Sequence, residues 1–540
     1  MREFFNILVQ VAYDNGGVEN YGDGEPGVEI IFHKNSGSDD ICPNNKKTRG
    51  CVYIFSESFS VFQTVLKLKV FLRGRYLEEI DMSKEEELRQ RSSIHLSQKH
   101  QKHHKHHMAM PWHDFIPEDD HDLARTASLP AKAAVVGRVG LMMLSCGTGA
   151  WRVRDSMNVM ARKLGLVCSA DIGLISIEFT CIDKDGQSYT QALSLPTTGV
   201  NTDKLTRMEH FVKRINRKET KMTLEEIHDE LDKIQATPGN YKPYQVGLAS
   251  ALACCAFVFL LGGGIIEMIG SFIGAGLGNY TRRKMLDKHI TLLACVAVSV
   301  MVACLSYTLS FHAMELLFNV AARHEAGYIG AMLFVIPGFP FITSGLDIAK
   351  MDMRSGLERL AHAIVIIGVA TLVGWVTALV VHLQPENFMP LQLTVLQLMF
   401  LRVIASFCGV YGFSIMFNSP RKMAAIAGCI GAVANTLRLE LVDLCGMAPG
   451  VAAFFGALTA GLLASYVYKR MHYPRISLTV PSIVIMVPGL YMYRAIYNIG
   501  VTSISDGALW LTKALLIVMF LPLGLIVARI ITDDKWRYCN

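Results

Sequence analysis

Apolar residues are unevenly spread along this chain. From Tyr244 onward they gather into ten long segments with short polar breaks, roughly 244–261, 265–280, 290–310, 327–346, 357–383, 391–417, 423–437, 448–468, 476–497 and 508–531. Several reach the ~20 residues that a helix needs to cross a bilayer. The second and seventh are short and rich in small residues. Gly270, Gly274 and Gly278 recur every four positions and leave one helix face bare for close packing. The pattern predicts an α-helical polytopic membrane protein of about ten transmembrane helices, with both short segments taken as spans rather than re-entrant loops.

Ahead of the membrane part, residues 118–238 read as a small cytoplasmic α/β domain. Residues 131–145 are apolar and helical. Trp151, Val153, Met157, Met160 and Leu164 then share one helical face, and Gly165 stops that helix. Residues 175–182 alternate, Asp185-Gly186 signals a turn, and 188–195 return as a second strand, which makes a hairpin. Residues 202–217 form a basic helix. Thr223 and Glu226 frame a capping box that opens a helix to Ile234, and Pro238-Gly239 breaks the chain.

Residues 1–117 read as an extension and linker, partly disordered. They hold short strands at 28–32 and 52–55, an apolar-basic helix at 61–72, and a start-like Met82. The tract 98–107 carries His100, His103, His104, His106 and His107. A His-rich tract can bind transition metals, but this one reads first as a solvated linker, because nothing fixes ligand geometry. No signal peptide opens the chain, so internal helices direct insertion.

Composition agrees. Of 540 residues 51% are hydrophobic and only 18% charged, against about 25% in soluble domains. This excludes a disordered chain, a basic nucleic-acid binder and an ordinary cytosolic enzyme. Residues 240–540 hold 21 Lys+Arg and 13 Asp+Glu. With ten spans and a cytoplasmic N-terminus, 16 of those cations fall in inside loops and three, Arg323, Arg438 and Arg494, outside. That bias predicts both termini in the cytoplasm. Seven of thirteen cysteines sit in apolar stretches and no CxxC occurs, so neither a metal site nor structural disulfides are expected.

An internal repeat sets the candidate pathway. At an offset of 151, Pro337-Gly338 pairs with Pro488-Gly489, Ile348 with Ile499, Gly356 with Gly507, Leu360 with Leu511, Ala363 with Ala514 and Ile366 with Ile517. Five spans per copy force the second to insert upside down, a 5+5 inverted repeat with halves at 239–387 and 388–540. Broken helices in such repeats line substrate sites near the midplane. Proline lacks the N–H and glycine adds freedom, so freed carbonyls can face a cavity. Charges within spans are costly and mark further candidates. Arg402 and Lys513 are placed to hold a substrate carboxylate, with snorkelling the plainer alternative for Lys513. Asp347 is a candidate for the coupling proton, or else a partner of Lys350 or Arg354. Glu267, Asn435 and Glu440 are weaker candidates, and Glu267 reads first as an interfacial cap.

The chain resembles the threonine/serine exporter family. The resemblance rests on Gly149-Ala-Trp-Arg152-Val-Arg-Asp-Ser-Met157 running through Ala161-Arg-Lys-Leu-Gly-Leu166, on the hairpin, and on the helix around Arg207–Ile215. It rests also on Val335-Ile-Pro-Gly338 with Asp347, and on Val487-Pro-Gly-Leu490 with Tyr493-Arg494. It covers about residues 118–532. It implies a secondary exporter of small hydroxy amino acids driven by the proton motive force. Related bacterial halves occur as separate proteins linked to dicarboxylate export, so succinate is the alternative substrate. The implied partners are a small-molecule substrate, protons and the lipid bilayer of the cell membrane, without nucleic acid or cofactor; a homo-oligomer is left open. No GxSxG, HExxH or P-loop occurs. The opposing class, a membrane-anchored hydrolase or sensor, leaves a ten-span repeat unexplained.

Overall fold

A computed structural model describes residues 112–115, 123–217, 222–318, 327–383, 388, 391–501 and 503–537. The expected strands at 28–32 and 52–55, the helix at 61–72, Met82, the His-rich tract and Arg323 lie outside the described residues.

The α/β domain starts with α1 (Leu129–Ser145) and α2 (Ala150–Lys163). A proline opens α1, where its missing N–H costs nothing. Past the end of α2, Gly165 takes the left-handed conformation, φ 76°. The sheet is antiparallel in the order β1 (Val167–Ile172), β2 (Ser176–Ile182), β3 (Ser188–Ser194). Its β2–β3 hairpin is the one the alternation predicts, with Gly186 at φ 79° in the turn. Strand β1 is an addition. Its alternation is weak, and pairing from Val167↔Ile182 to Ile172↔Ile177 recruits it. Ile177, Phe179, Cys181 and Leu193 are buried on one sheet face. Phe179 and Leu193 press close to α1, so that a Cβ at Gly137 would lie 2.6 Å from Phe179 and 2.9 Å from Leu193. Helices α3 (Thr202–Arg217) and α4 (Leu224–Ala236) follow, the latter opened by the Thr223–Glu226 capping box.

The membrane part comprises α5 (Pro243–Leu260), α6 (Ile265–Asp287), α7 (Leu292–Phe318), α8 (Gly327–Met332), α9 (Gly338–Ala349), α10 (Met353–Val380), α11 (Val395–Met416), α12 (Arg421–Asp443), α13 (Pro449–Met471), α14 (Arg475–Val484), α15 (Gly489–Val501) and α16 (Ile504–Thr532), and the short α17 (Asp534–Arg537) follows. Seven of these, α5, α7, α10, α11, α12, α13 and α16, are long and apolar enough to cross a bilayer, and two bent pairs raise the number to nine. Helix α6 is 23 residues long but glycine-rich and charged at both ends, so composition alone does not mark it as a span. Leu309, Leu372, Phe400, Leu515 and Met519 are exposed along these helices, a surface suited to lipid rather than water.

Several helices run past their apolar segments. Arg282, Arg283 and Lys284, read as loop residues, lie within α6, and Arg438, read as an outside-loop cation, lies within α12. Backbone hydrogen bonding carries a helix beyond its apolar stripe wherever nothing breaks it.

The ends of α9, α11 and α13, and the short α17 that follows α16, all reach the α/β domain. Asp347 accepts from Ala150 N at 3.0 Å, and Thr202 N donates to Phe417 O at 3.0 Å. Lys213 Nζ lies 3.3 Å from Tyr468 Oη, and Lys535 Nζ 2.9 Å from Asp155.

Candidate functional site

Both Pro-Gly pairs break a helix. Helix α8 continues through a 3-10 turn (Leu333–Val335) and meets α9 at 55°, while α14 meets α15 at 48°. The two breaks share local backbone hydrogen bonds. Gly338 N donates to Ile336 O at 2.8 Å and Gly489 N to Val487 O at 2.9 Å. One turn beyond α9, Asp352 N donates to Asp347 O at 2.9 Å; at the matching place Ser503 N donates to Asn498 O at 2.9 Å. Gly356 packs on Ile348, and Gly507 on Ile499. The breaks also face one another. A Cβ on Gly338 would lie 3.2 Å from Val484, and one on Gly489 would run into Ile336.

A cavity of about 250 Å³ adjoins the first break. Ile336, Pro337 and Gly338 form one wall, while Gly147 and Gly199 of the α/β domain border it. Its charged or titratable lining groups are Arg282, Arg283, Arg359 and His362, and no carboxylate lines it among the described residues. Arg282 Nε is buried without a hydrogen-bond partner. Arg359 is paired with Asp347 at 3.2 Å and Arg283 with Asp287 at 3.7 Å, so Arg282 supplies the positive field that would draw an anion into this narrow cleft. Away from this cavity, Tyr328 Oη and Tyr493 Oη meet at 2.7 Å, both buried, and tie α8 to α15.

The structure gives Asp347 a different partner from Lys350 or Arg354. Asp347 is fully buried; its Oδ2 lies 3.2 Å from Arg359 Nε and accepts from Ser355 Oγ at 2.9 Å, while Oδ1 takes the Ala150 N–H. Arg359 also donates to Thr148 O at 2.8 Å. The pair therefore clamps α9 and α10 onto the turn between α1 and α2. Residue 149 is glycine because a Cβ there would strike the Asp347 carboxylate. Arg354 instead contacts Asp171 on β1, and Lys350 Nζ lies 4.7 Å from the Trp536 ring centroid.

Arg402 and Glu440, predicted separately, come together. Arg402 is the eighth residue of α11, and it pairs with Glu440 at 3.0 Å and with Asp443. Lys513 is exposed on α16 with Nζ 4.9 Å from the Trp510 ring, the arrangement of an interfacial anchor. Arg494 stacks on the other contact of that indole, 5.0 Å from its centroid. Glu267 caps α6, accepting from Gly264 N at 3.0 Å. Asn435 donates to Ser406 Oγ at 2.9 Å. His113, Asp229 and Asp232 approach one another closely enough for a metal, but Arg138 and His113 already engage Asp232.

Sequence reading missed Arg282, Arg283 and Arg359 as a set, having counted each only as a loop charge. One signal was available: Arg359 stands four residues after Ser355 and so shares its helical face.

Known proteins resemble this chain in the same two stretches. Residues 134–382 match the family described as "Putative threonine/serine exporter", and residues 402–531 the one described as "Threonine/Serine exporter, ThrE". A probable succinate transporter subunit, YjjP of Escherichia coli, is 26% identical over 243 residues, 45% of this chain and 91% of that protein. A probable threonine/serine exporter of Mycobacterium tuberculosis is 22% identical over 388 residues, 69% of this chain and 70% of that protein. No solved structure matches. With both stretches joined in one multi-pass chain, this protein belongs to the threonine/serine exporter family and is a membrane transporter, not an enzyme.

Proposed function

We propose that this protein exports small carboxylates from the cytoplasm, with a dicarboxylate of the succinate class as the substrate the cavity suits best. The carrying observation is the cavity beside Pro337-Gly338, whose charged lining is entirely cationic. An amino acid would also need an acceptor for its ammonium group. Asp347 does not offer one, since Ala150, Ser355 and Arg359 already hold its oxygens. The relative named for succinate matches 45% of this chain. Export of a dianion needs no separate proton site, because a negative-inside potential drives it at about 2.3 kcal/mol per charge per 100 mV. The proton motive force thus acts through its electrical part. Asp347 serves as a joint between the first break and α2, and the Tyr328–Tyr493 contact closes the far side of the path.

The reading includes ten crossings in an inverted 5+5 repeat, cytoplasmic termini, and domain limits at 118–238, 239–387 and 388–540. It is supported by the matching breaks and by the ends of α9, α11 and α13, with α17 after α16, lying against one domain. A topology reporter inserted at 288–290 should read cytoplasmic and one at 384–387 external; the same side for both ends this scheme.

Threonine and serine are the second reading, favoured because the relative spanning both halves is named for them. Counterflow in proteoliposomes separates the two. Labelled succinate should exchange, and Arg282→Gln should raise its KM by about tenfold, the loss of one charge-assisted hydrogen bond. Exchange of threonine without succinate would overturn the dicarboxylate reading.

A further inference from the structure

A second cavity, of about 360 Å³, lies between the α/β domain and the second membrane half. None of its lining residues belongs to the cavity beside Pro337-Gly338. Its walls carry five cations, Arg152, Lys213, Arg475, Arg529 and Lys535, against three carboxylates, Asp155, Glu209 and Asp533. Every cation reaches a carboxylate, but two of the three carboxylates are each shared by two cations. Glu209 is shared by Arg152 and Lys213, Asp533 by Arg475 and Arg529, and Asp155 takes Lys535. Two positive charges are left over.

The lysines of this set reach water, but its three arginines do not. Arg152, Arg475 and Arg529 are 9%, 6% and 7% exposed. Arg152 Nε has no hydrogen-bond partner, although it is buried. Arg529 reaches Asp533 only at 3.6 Å, beyond hydrogen-bond range. Buried guanidinium groups in excess of their counter-charges are costly unless a further anion completes them. Three arginines around one cavity offer the fork geometry that binds the oxygens of a phosphate. Aromatic groups complete the walls: Trp151, set edge-on to Trp536 at 5.6 Å, and Tyr468, whose ring takes Arg475 at 4.8 Å.

We infer that this cavity is a binding site for a doubly charged phosphate-type anion, held by Arg152, Arg475 and Arg529 between α2, α3 and the ends of α13, α14 and α16. Such an anion is either a free phosphate or the phosphate of a lipid headgroup, since the cavity lies where the membrane helices meet the α/β domain. Arg475 opens α14, the first half of the second broken pair. Occupancy therefore ties the α/β domain to the helix that leads into the break at Pro488-Gly489. The inference stands apart from the choice of transported substrate.

The test uses the full chain in nanodiscs and reads its thermal unfolding midpoint. In one arm the discs are pure phosphatidylcholine and inorganic phosphate is titrated against chloride at matched ionic strength. In the other, phosphatidic acid is added to the discs and phosphate is left out. A saturable rise in the first arm identifies a free anion as sufficient; a rise confined to the second identifies the headgroup. In either case Arg152→Gln should weaken the response by about tenfold or more, the loss of one charge-assisted contact. Lys213→Gln, at a half-exposed position where folding is not at stake, should weaken it several-fold. No rise in either arm overturns the proposal, as does a response that both variants leave unchanged.

Discussion

Removing Arg359 should destabilise the junction between the membrane part and the α/β domain more than any other single ion-pair change described above. In Arg359→Leu, the Asp347 carboxylate stays fully buried and keeps only two neutral donors, Ser355 Oγ and Ala150 N. Breaking a buried pair from one side costs about 3–5 kcal/mol. Asp347→Leu should cost less within that range, because the guanidinium it strands still donates to Ser355 Oγ and Thr148 O. The double variant carries no buried charge. It should recover about 1–3 kcal/mol relative to the sum of the singles, the coupling expected of direct contacts. Reversible unfolding of the purified full chain measures all three, and proteolysis at Gly147-Thr148-Gly149 reports locally, because the clamp holds that turn. Single variants that each cost under about 1 kcal/mol, or a double variant equal to their sum, would refute the reasoning. Asp347→Asn should slow counterflow and gradient-driven export alike, as a joint requires. Loss of gradient-driven export with exchange intact would make Asp347 a proton carrier instead.

Gly489→Val should insert normally yet lose counterflow, because the new side chain would occupy the space of Ile336 across the two breaks; normal exchange would remove the breaks from the path. Arg402→Gln should lower stability and leave KM unchanged, since it strands Glu440 and Asp443 rather than a substrate; a raised KM would return Arg402 to the pathway. Within the α/β domain, burial and then the neighbouring Arg138 push the His228 imidazole down to about 3. The folded value lies below the unfolded one near 6.5, so the native state binds fewer protons and stability falls as pH drops through 6.5. At pH 5 the loss is roughly 2 kcal/mol. His228→Asn should flatten the dependence of the unfolding midpoint between pH 7 and 5, and an unchanged slope would assign acid sensitivity elsewhere.

Local chemistry was legible in the sequence where one short-range rule decides the outcome. Gly165 stops α2, Thr223 and Glu226 cap α4, and Pro-Gly pairs break a helix at both 337 and 488, whereas Pro481 and Pro522, each without a following glycine, stay inside α14 and α16. The apolar runs marked the membrane helices for the same reason, because solvent preference is a property of each segment. Partner choice was not legible. Asp347 stands close in sequence to Lys350 and Arg354, yet it pairs with Arg359, because two turns of α10 and the start of α2 converge on it from separate parts of the chain. Arg402 looked like a free cation until α12 brought Glu440 and Asp443 beside it. Strand β1 needed β2 to exist. A helix or a break is fixed by neighbours within a few residues, whereas the meaning of a charge depends on which distant groups share its dielectric surroundings, and only the packing of the helices sets that.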